Sequence, residues 1–250
     1  MRFYGCTGKT SANLQASRGS AIVGIVTPDA LYLFTDSARS TIRPLRGATS
    51  ELADLASQKA WKIRQVIFAQ AGLRSMEVNN EVYDFTEPAR RLLETSKVFD
   101  PVQFSSAWKI EIKRAINDSF MNSPANFRRL VQNGVKGVEI VLDRFNSKRS
   151  PHLIRHHIAI EISQDGKLIL QDSDSEVPPG EAGLSGSVLL GAEAADIAPE
   201  LKADRKTYSI LEEFMAKGQY PDVANLIIAY AAKRSSDVGG PIQAVTLHRR

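Results

Sequence analysis

After the polar residues 1–18, the chain contains apolar segments separated by polar turns. In residues 20–26 and 30–36 the apolar side chains are consecutive or alternate with polar ones. Thr27-Pro28-Asp29 lies between these two segments. Such alternation around a short turn is typical of a β-hairpin. The apolar residues 60–71 predict one or two further strands, and the polar residues 40–56 predict a connection.

The middle of the chain has helical spacing instead. Apolar residues recur every three or four positions from Met76 to Lys97 and again from Asp100 to Phe120. Asp100-Pro101 is a favourable helix beginning, because aspartate can cap the first amides and proline fits the first helical position. We therefore expect two long helices, with residues 121–134 as an extension or a loop.

The rest of the chain returns to strands, then to helices, and ends in a strand. The predicted elements are strands at 138–143, 153–162, 168–170 and 185–191, helices at 192–201, 207–217 and 220–232, and a closing strand at 241–247. This order lacks the strand–helix alternation of a doubly wound parallel sheet. It fits two antiparallel sheets packed face to face with helices outside both.

Composition narrows the class of protein. The 250 residues are 43% hydrophobic and 24% charged, as expected for a globular chain. The net charge of +4 has no long basic block behind it, so we expect no nucleic-acid partner. No apolar run approaches the roughly 20 residues of a membrane span, and the N-terminus lacks the apolar core of a signal peptide. Cys6 is the single cysteine, which excludes an internal disulfide and suits a cytoplasmic location.

Three polar residues lie where the first predicted strands begin or end: Ser20, Asp36 and Lys62. A hydroxyl at the first residue of a strand can become a nucleophile when a lysine and a buried carboxylate approach it from neighbouring strands. The lysine lowers the cost of ionising nearby groups, and the carboxylate fixes the lysine.

The spacing of these residues resembles the proteasome family of N-terminal-nucleophile hydrolases. Gly19-Ser20 is similar to the bond that the family cleaves, and Asp36-Ser37-Ala38-Arg39, which begins sixteen residues after Ser20, is similar to its aspartate turn. Ala56-Ser57-Gln58 is similar to the approach to the catalytic lysine, which falls on Lys62. Ala71-Gly72 is similar to the segment with the oxyanion-hole glycine.

The resemblance implies an α+β fold, a four-layer αββα sandwich, with residues 1–19 as an extension or propeptide and residues 20–250 as one domain. After cleavage of Gly19–Ser20, Ser20 would be the nucleophile and its own amine the base. Lys62 would keep the site electropositive, Asp36 would orient Lys62, and the Gly72 amide would stabilise the oxyanion. The implied reaction is hydrolysis of a peptide or amide bond with no cofactor and no metal, in a homo-oligomer or a ring.

The same residues also support a non-catalytic alternative. Arg18-Gly19-Ser20-Ala21 after an extension resembles the opening of the family's non-catalytic α-type subunits. The positions of the family's supporting polar residues hold Ala192, Ser235 and Val238 here. A proteasome-like scaffold or binding subunit therefore remains an alternative to the peptidase.

Each candidate residue also has a purely structural interpretation. Asp36 could be a turn aspartate that binds backbone amides. Lys62 could be a strand-edge lysine whose ammonium reaches solvent. His152, His156 and His157 lie on or near one predicted strand, but three or four convergent ligands are needed for a metal, so we expect no metal site there.

Overall fold

The computed structural model describes residues 14–18, 21–42, 51–54, 58–78, 81–96, 99–145, 151–177, 187–236 and 238–249. These residues form fourteen strands and seven helices. The strands are β1 (Leu14–Arg18), β2 (Ala21–Val26), β3 (Ala30–Thr35), β4 (Arg39–Ile42), β5 (Glu51–Asp54), β6 (Ala60–Ile63), β7 (Val66–Gly72), β8 (Ser75–Val78), β9 (Glu81–Asp84), β10 (Gly137–Phe145), β11 (Pro151–Ile162), β12 (Leu168–Val177), β13 (Ser187–Ala192) and β14 (Gln243–His248). The helices are α1 (Glu87–Thr95), α2 (Pro101–Asn122), α3 (Pro124–Gln132), α4 (Glu193–Asp196), α5 (Ala198–Ala203), α6 (Arg205–Ala216) and α7 (Tyr220–Ala232).

The strands form three sheets in which every described pair is antiparallel. Sheet I has the order β13-β2-β3-β14, and sheet II has the order β12-β11-β10-β7-β6. Sheet III, with the order β5-β4-β1-β8-β9, includes the only described strand that precedes Ser20. The fold is therefore of the α+β class with antiparallel sheets.

Sheets I and II pack against each other through small and branched apolar side chains. The buried residues at this contact include Ile22, Val26, Leu31 and Leu33 from sheet I and Ile67, Ala69, Ala71, Val141 and Leu153 from sheet II. Side chains alternate across a strand, so the neighbouring positions of the same strands face outward from this contact. On β7, for example, Val66 and Phe68 pack on the helix side.

Helices cover the outward faces of both sheets. Trp108, Ile112 and Ile116 of α2 pack with residues of α1, α3 and sheet II, and α4 to α7 pack with Val23, Ile25 and Phe34 of sheet I. Burying each large apolar side chain of this kind stabilises the fold by about 1.5–3 kcal/mol. Among the described residues, no helix has both the length and the apolar character that crossing a membrane requires.

The prediction of one long helix from Met76 to Lys97 was wrong in its first half. That half forms β8 and β9, and only α1 is helical. The side chain of Asp84 accepts hydrogen bonds from the Thr86 amide at 2.8 Å and the Thr86 hydroxyl at 2.6 Å, which turns the chain after β9. Pro88 then lies in the first turn of α1, where its missing N–H costs nothing.

The polar segment 40–56 is not a plain connection, because it contains strand residues of β4 and β5. These strands pair in sheet III through backbone hydrogen bonds. Their sequence lacks the alternation of apolar residues from which a strand can be predicted. The predicted beginning of α2 was confirmed, since Asp100 Oδ1 accepts the amides of Val102 at 2.9 Å and Gln103 at 3.2 Å. Part of segment 121–134 forms a separate helix, α3, with Pro124 in its first turn.

Candidate functional site

Asp36 follows the last residue of β3 and is fully buried. Its Oδ1 accepts the amide of Ala21 at 2.8 Å. Its Oδ2 accepts the amides of Ala38 and Gly239, both at 3.1 Å, and the ammonium of Lys59, also at 3.1 Å. Four donors thus hold the carboxylate in one orientation at the beginning of β2.

Lys59 reaches this carboxylate from the residue just before β6. Its side chain is 2% exposed. Its backbone is fixed on both sides, because its amide donates to Gln243 Oε1 at 2.8 Å and its carbonyl accepts the Gln70 amide at 3.1 Å. A buried ammonium and carboxylate are each costly to remove from water, so they persist only as a well-bonded pair.

Lys62, the lysine expected to pair with Asp36, is not at this position. Its Nζ donates to the Thr246 carbonyl at 3.1 Å on the exposed edge of the sheets. Lys62 lies within edge strand β6, opposite Ile67, whereas Lys59 lies ahead of that strand. The structure therefore corrects the pairing of Asp36 from Lys62 to Lys59. In the sequence Lys59 comes just before the apolar strand and Lys62 lies inside it, but this difference in position does not decide between them without the packing of the sheets.

Gly72 is the last residue of β7 and has a φ of +73°. A Cβ at this position would overlap the carbonyl oxygen of Gly137, so only glycine fits. The Gln70 amide donates toward β6, where Lys59 accepts it. Since amide directions alternate along a strand, the Gly72 amide points to the same side of β7 as Lys59.

Ser20 itself lies outside the described residues. The nearest described position is Ala21, whose amide donates to Asp36. Asp36, Lys59 and Ala21 are thus brought together at the end of β2 that adjoins Ser20 in the chain.

The segment before β14 supports Asp36 through its backbone. Besides the Gly239 amide, the Gly239 carbonyl accepts hydrogen bonds from the amides of Ser37 at 3.1 Å and Ala38 at 2.9 Å. The Val238 side chain packs into the core beneath α7. The valine at this position therefore leaves the contact with Asp36 intact, because that contact needs no side chain from the segment.

A second charged pair, which the sequence analysis missed, lies between sheets I and II. Arg155 Nη2 donates to Glu139 Oε2 at 2.5 Å, and the Glu139 side chain is 3% exposed. A Cβ on Gly191 would overlap Glu139 Oε1, and Gly191 pairs with Ile22 of β2. Glu139 thus lies close to the beginning of β2. Glu139 lies in a strand of mostly apolar residues. The one feature of the sequence that points to it is its charge at a position that faces inward.

The strand histidines have protein partners. His152 Nε2 lies 3.1 Å from Glu176 Oε2, and His156 Nδ1 lies 3.0 Å from Asp174 Oδ1 and 3.2 Å from Ser105 Oγ. Within the part of the chain that the structure describes, no group of three or more potential ligands is arranged to hold a metal ion.

Comparison with known proteins finds similarity among solved structures. No protein-family model matches the sequence. No curated protein matches it either. Among solved structures, the chain is similar to Anbu (ancestral beta-subunit) from Yersinia bercovieri, with a TM-score of 0.48 and 12% sequence identity over 91% of this chain and 81% of that chain.

Proposed function

We propose that this chain is a proteasome-subunit-like N-terminal-nucleophile hydrolase that cleaves peptide or amide bonds once Ser20 is the N-terminal residue. The observation that carries the proposal is the buried Asp36–Lys59 pair, because Asp36 also binds the amide of Ala21, next to Ser20. The proposed fold is the four-layer αββα sandwich. The helices packed on the outward faces of sheets I and II support it.

The proposed mechanism begins with hydrolysis of the Gly19–Ser20 bond, which adds one water and leaves a carboxylate on Gly19 and an amine on Ser20. That amine takes the hydroxyl proton as the Ser20 oxygen attacks a substrate carbonyl. Lys59, in the role first assigned to Lys62, keeps the site electropositive, and Asp36 orients Lys59. The Gly72 amide donates to the oxyanion. The intermediate collapses as the C–N bond breaks and the Ser20 ammonium returns its proton to the leaving amine, which leaves the acyl-enzyme. A water then hydrolyses the acyl-enzyme, releasing the carboxylic acid and restoring the Ser20 hydroxyl, and the mechanism uses no metal or cofactor.

Two measurements test this mechanism. Mass spectrometry of the denatured protein should show a main chain that lacks residues 1–19. A broad electrophile directed at serine and threonine should then label the wild type and fail to label Ser20→Ala and Lys59→Ala. Lys62→Ala is the matched control and should keep its label, because its ammonium binds only the Thr246 carbonyl among the described groups. A full-length chain that is folded and unlabelled would refute the mechanism.

One observation favours the alternative, a non-catalytic scaffold or binding subunit. β1 belongs to the extension, yet it pairs with β4 and β8 of the domain. In an uncut chain Ser20 has an amide nitrogen in place of an amine, so the proposed base is missing. An assembled, uncut and unlabelled protein would support the scaffold.

We also propose that the chain forms a homo-oligomer, as a ring or an assembly derived from one. This proposal rests on the resemblance to the proteasome family in the order of elements and in the residues around Asp36. Mass photometry tests it directly, and a uniform monomer at micromolar concentration would count against assembly.

A further inference from the structure

The extension ahead of Ser20 contributes the middle strand of a sheet. On one side, β1 pairs with β4 through Ala16 with Ile42, Ser17 with Thr41 and Arg18 with Ser40. On the other side it pairs with β8, from Leu14 with Val78 to Ser17 with Ser75. The backbone of residues 14–18 is therefore bonded to the domain along both edges.

The two neighbours of β1 continue directly from the candidate site. β4 begins three residues after Asp36, and β8 begins three residues after Gly72. Met76 of β8, opposite Ala16, is fully buried in the core beneath α1 and α2, which anchors this side of the sheet. β1 thus links the segment that carries Asp36 to the segment that carries Gly72.

Within sheet III, β1 lies between two hairpins, β4–β5 and β8–β9. Without β1 this sheet becomes two separate two-stranded hairpins, and such hairpins are marginally stable alone. Both β4 and β8 would also present a row of unpaired backbone groups to solvent. Filling the gap with a strand restores pairing on both sides at once.

We propose that residues 14–18 act as a strand clasp, a strand that stays bound between β4 and β8 even when the Gly19–Ser20 bond is cut. The fragment that contains residues 14–18 is then a non-covalent part of the folded protein. Its pairing keeps the Asp36 and Gly72 segments together. The cut itself belongs to the proposed function, whereas the pairing with β4 and β8 does not depend on it.

The first test cuts the full chain with an added protease. A recognition sequence for that protease is inserted between Gly19 and Ser20, and the digested protein is passed through gel filtration. We expect native mass spectrometry to find the fragment still bound and denaturing mass spectrometry to find it separate. Loss of the fragment during gel filtration would overturn the proposal, whether or not the remainder stays folded.

The second test uses the uncut chain with Ala16→Pro, which removes one backbone donor from the middle strand. Amides of β4 and β8 should exchange hydrogen at least about tenfold faster, and those of β10 and β11 should be unchanged. Ala16→Ser keeps the donor and should match the wild type. Equal exchange in β4 and β8 for all three proteins would overturn the proposal. Neither test depends on reactivity of Ser20, so a failure of the hydrolase mechanism is distinguishable from a failure of the clasp.

Discussion

The ammonium of Lys59 lies 3.1 Å from Oδ2 of Asp36, and their side chains are 2% and 0% exposed. The three amides that also donate to Asp36 satisfy the carboxylate but do not neutralise it. Removing the lysine charge would leave a buried negative charge without its counter-ion. The pair therefore has a structural role whether or not the site is catalytic.

We expect Lys59→Met to lower the free energy of unfolding by about 3–5 kcal/mol, the usual loss when one partner of a buried ion pair is removed. Lys62→Met is the matched control on the same strand edge and should change it by less than about 0.5 kcal/mol. Denaturant unfolding at neutral pH measures both. Equal losses for the two variants would contradict the assignment of the buried lysine.

The hydrophobic pattern predicted strands whose side chains lie in the core and missed strands held mainly by backbone pairing. β2, β3 and β7 were predicted because their apolar residues pack in the cores. β4 and β5 were missed because their polar sequence carries no alternation. β8 and β9 were missed because their apolar residues also fit a helical period.

The candidate site shows the same division between local and long-range information. Asp36 was predicted from its place at a strand end and from the family resemblance, and Gly72 from the resemblance alone; the structure places Asp36 directly after β3 and Gly72 at the end of β7. Choosing between Lys59 and Lys62 requires knowing which end of β6 approaches β3, and that depends on how the sheets pack. Glu139 could not be predicted as part of a charged pair, because Arg155 lies on the next strand.

Gly72→Ala should be strongly destabilising. A non-glycine residue at a φ of +73° costs about 1–3 kcal/mol, and the new Cβ would also overlap the Gly137 carbonyl. Gly239→Ala is the control, since its Cβ would meet only the Ala38 Cβ, at 3.9 Å. Thermal and denaturant unfolding should separate the variants, and a Gly72→Ala protein as stable as Gly239→Ala would contradict the backbone constraint.

Asp143 is fully buried, and neither carboxylate oxygen has a hydrogen-bond partner within the described structure. Burial raises its pKa well above the usual value. The stability it contributes is therefore fully present below the unfolded pKa of 3.8 and is lost as pH rises through the folded pKa. At pH 7, Asp143→Val should raise the free energy of unfolding by about 1–3 kcal/mol.

Asp143→Asn separates charge from polarity. This variant should remove the pH dependence of stability that Asp143 causes. It should raise the free energy of unfolding by less than Asp143→Val does, because a buried amide would still lack partners. Denaturant unfolding over a range of pH measures both variants. The prediction would be wrong if the free energy of unfolding of the wild type, relative to that of Asp143→Val, rose with pH through this range.

For His156 we predict the opposite dependence of stability on pH from that of Asp143. Its ring is buried against α2, and Nε2 has no partner among the described groups. Burial lowers the pKa of His156 below 6.5, although the hydrogen bond that its ring donates to Asp174 acts to raise it. The unfolded chain therefore binds a proton more readily. The stability from His156 is present above pH 6.5 and is lost as pH falls through the folded pKa.

We expect the free energy of unfolding of the wild type, relative to that of His156→Gln, to fall with acidification between about pH 8 and pH 5. The slope should not vanish in that variant, because burial and the Arg155 charge also lower the pKa of His157. His152→Gln on the same strand keeps both groups and serves as the control for a histidine-to-glutamine change. Denaturant unfolding at several pH values gives the slopes, and NMR titration of the imidazole protons reports His156 itself. Identical slopes for His156→Gln and the wild type would show that the buried ring is not the group that titrates.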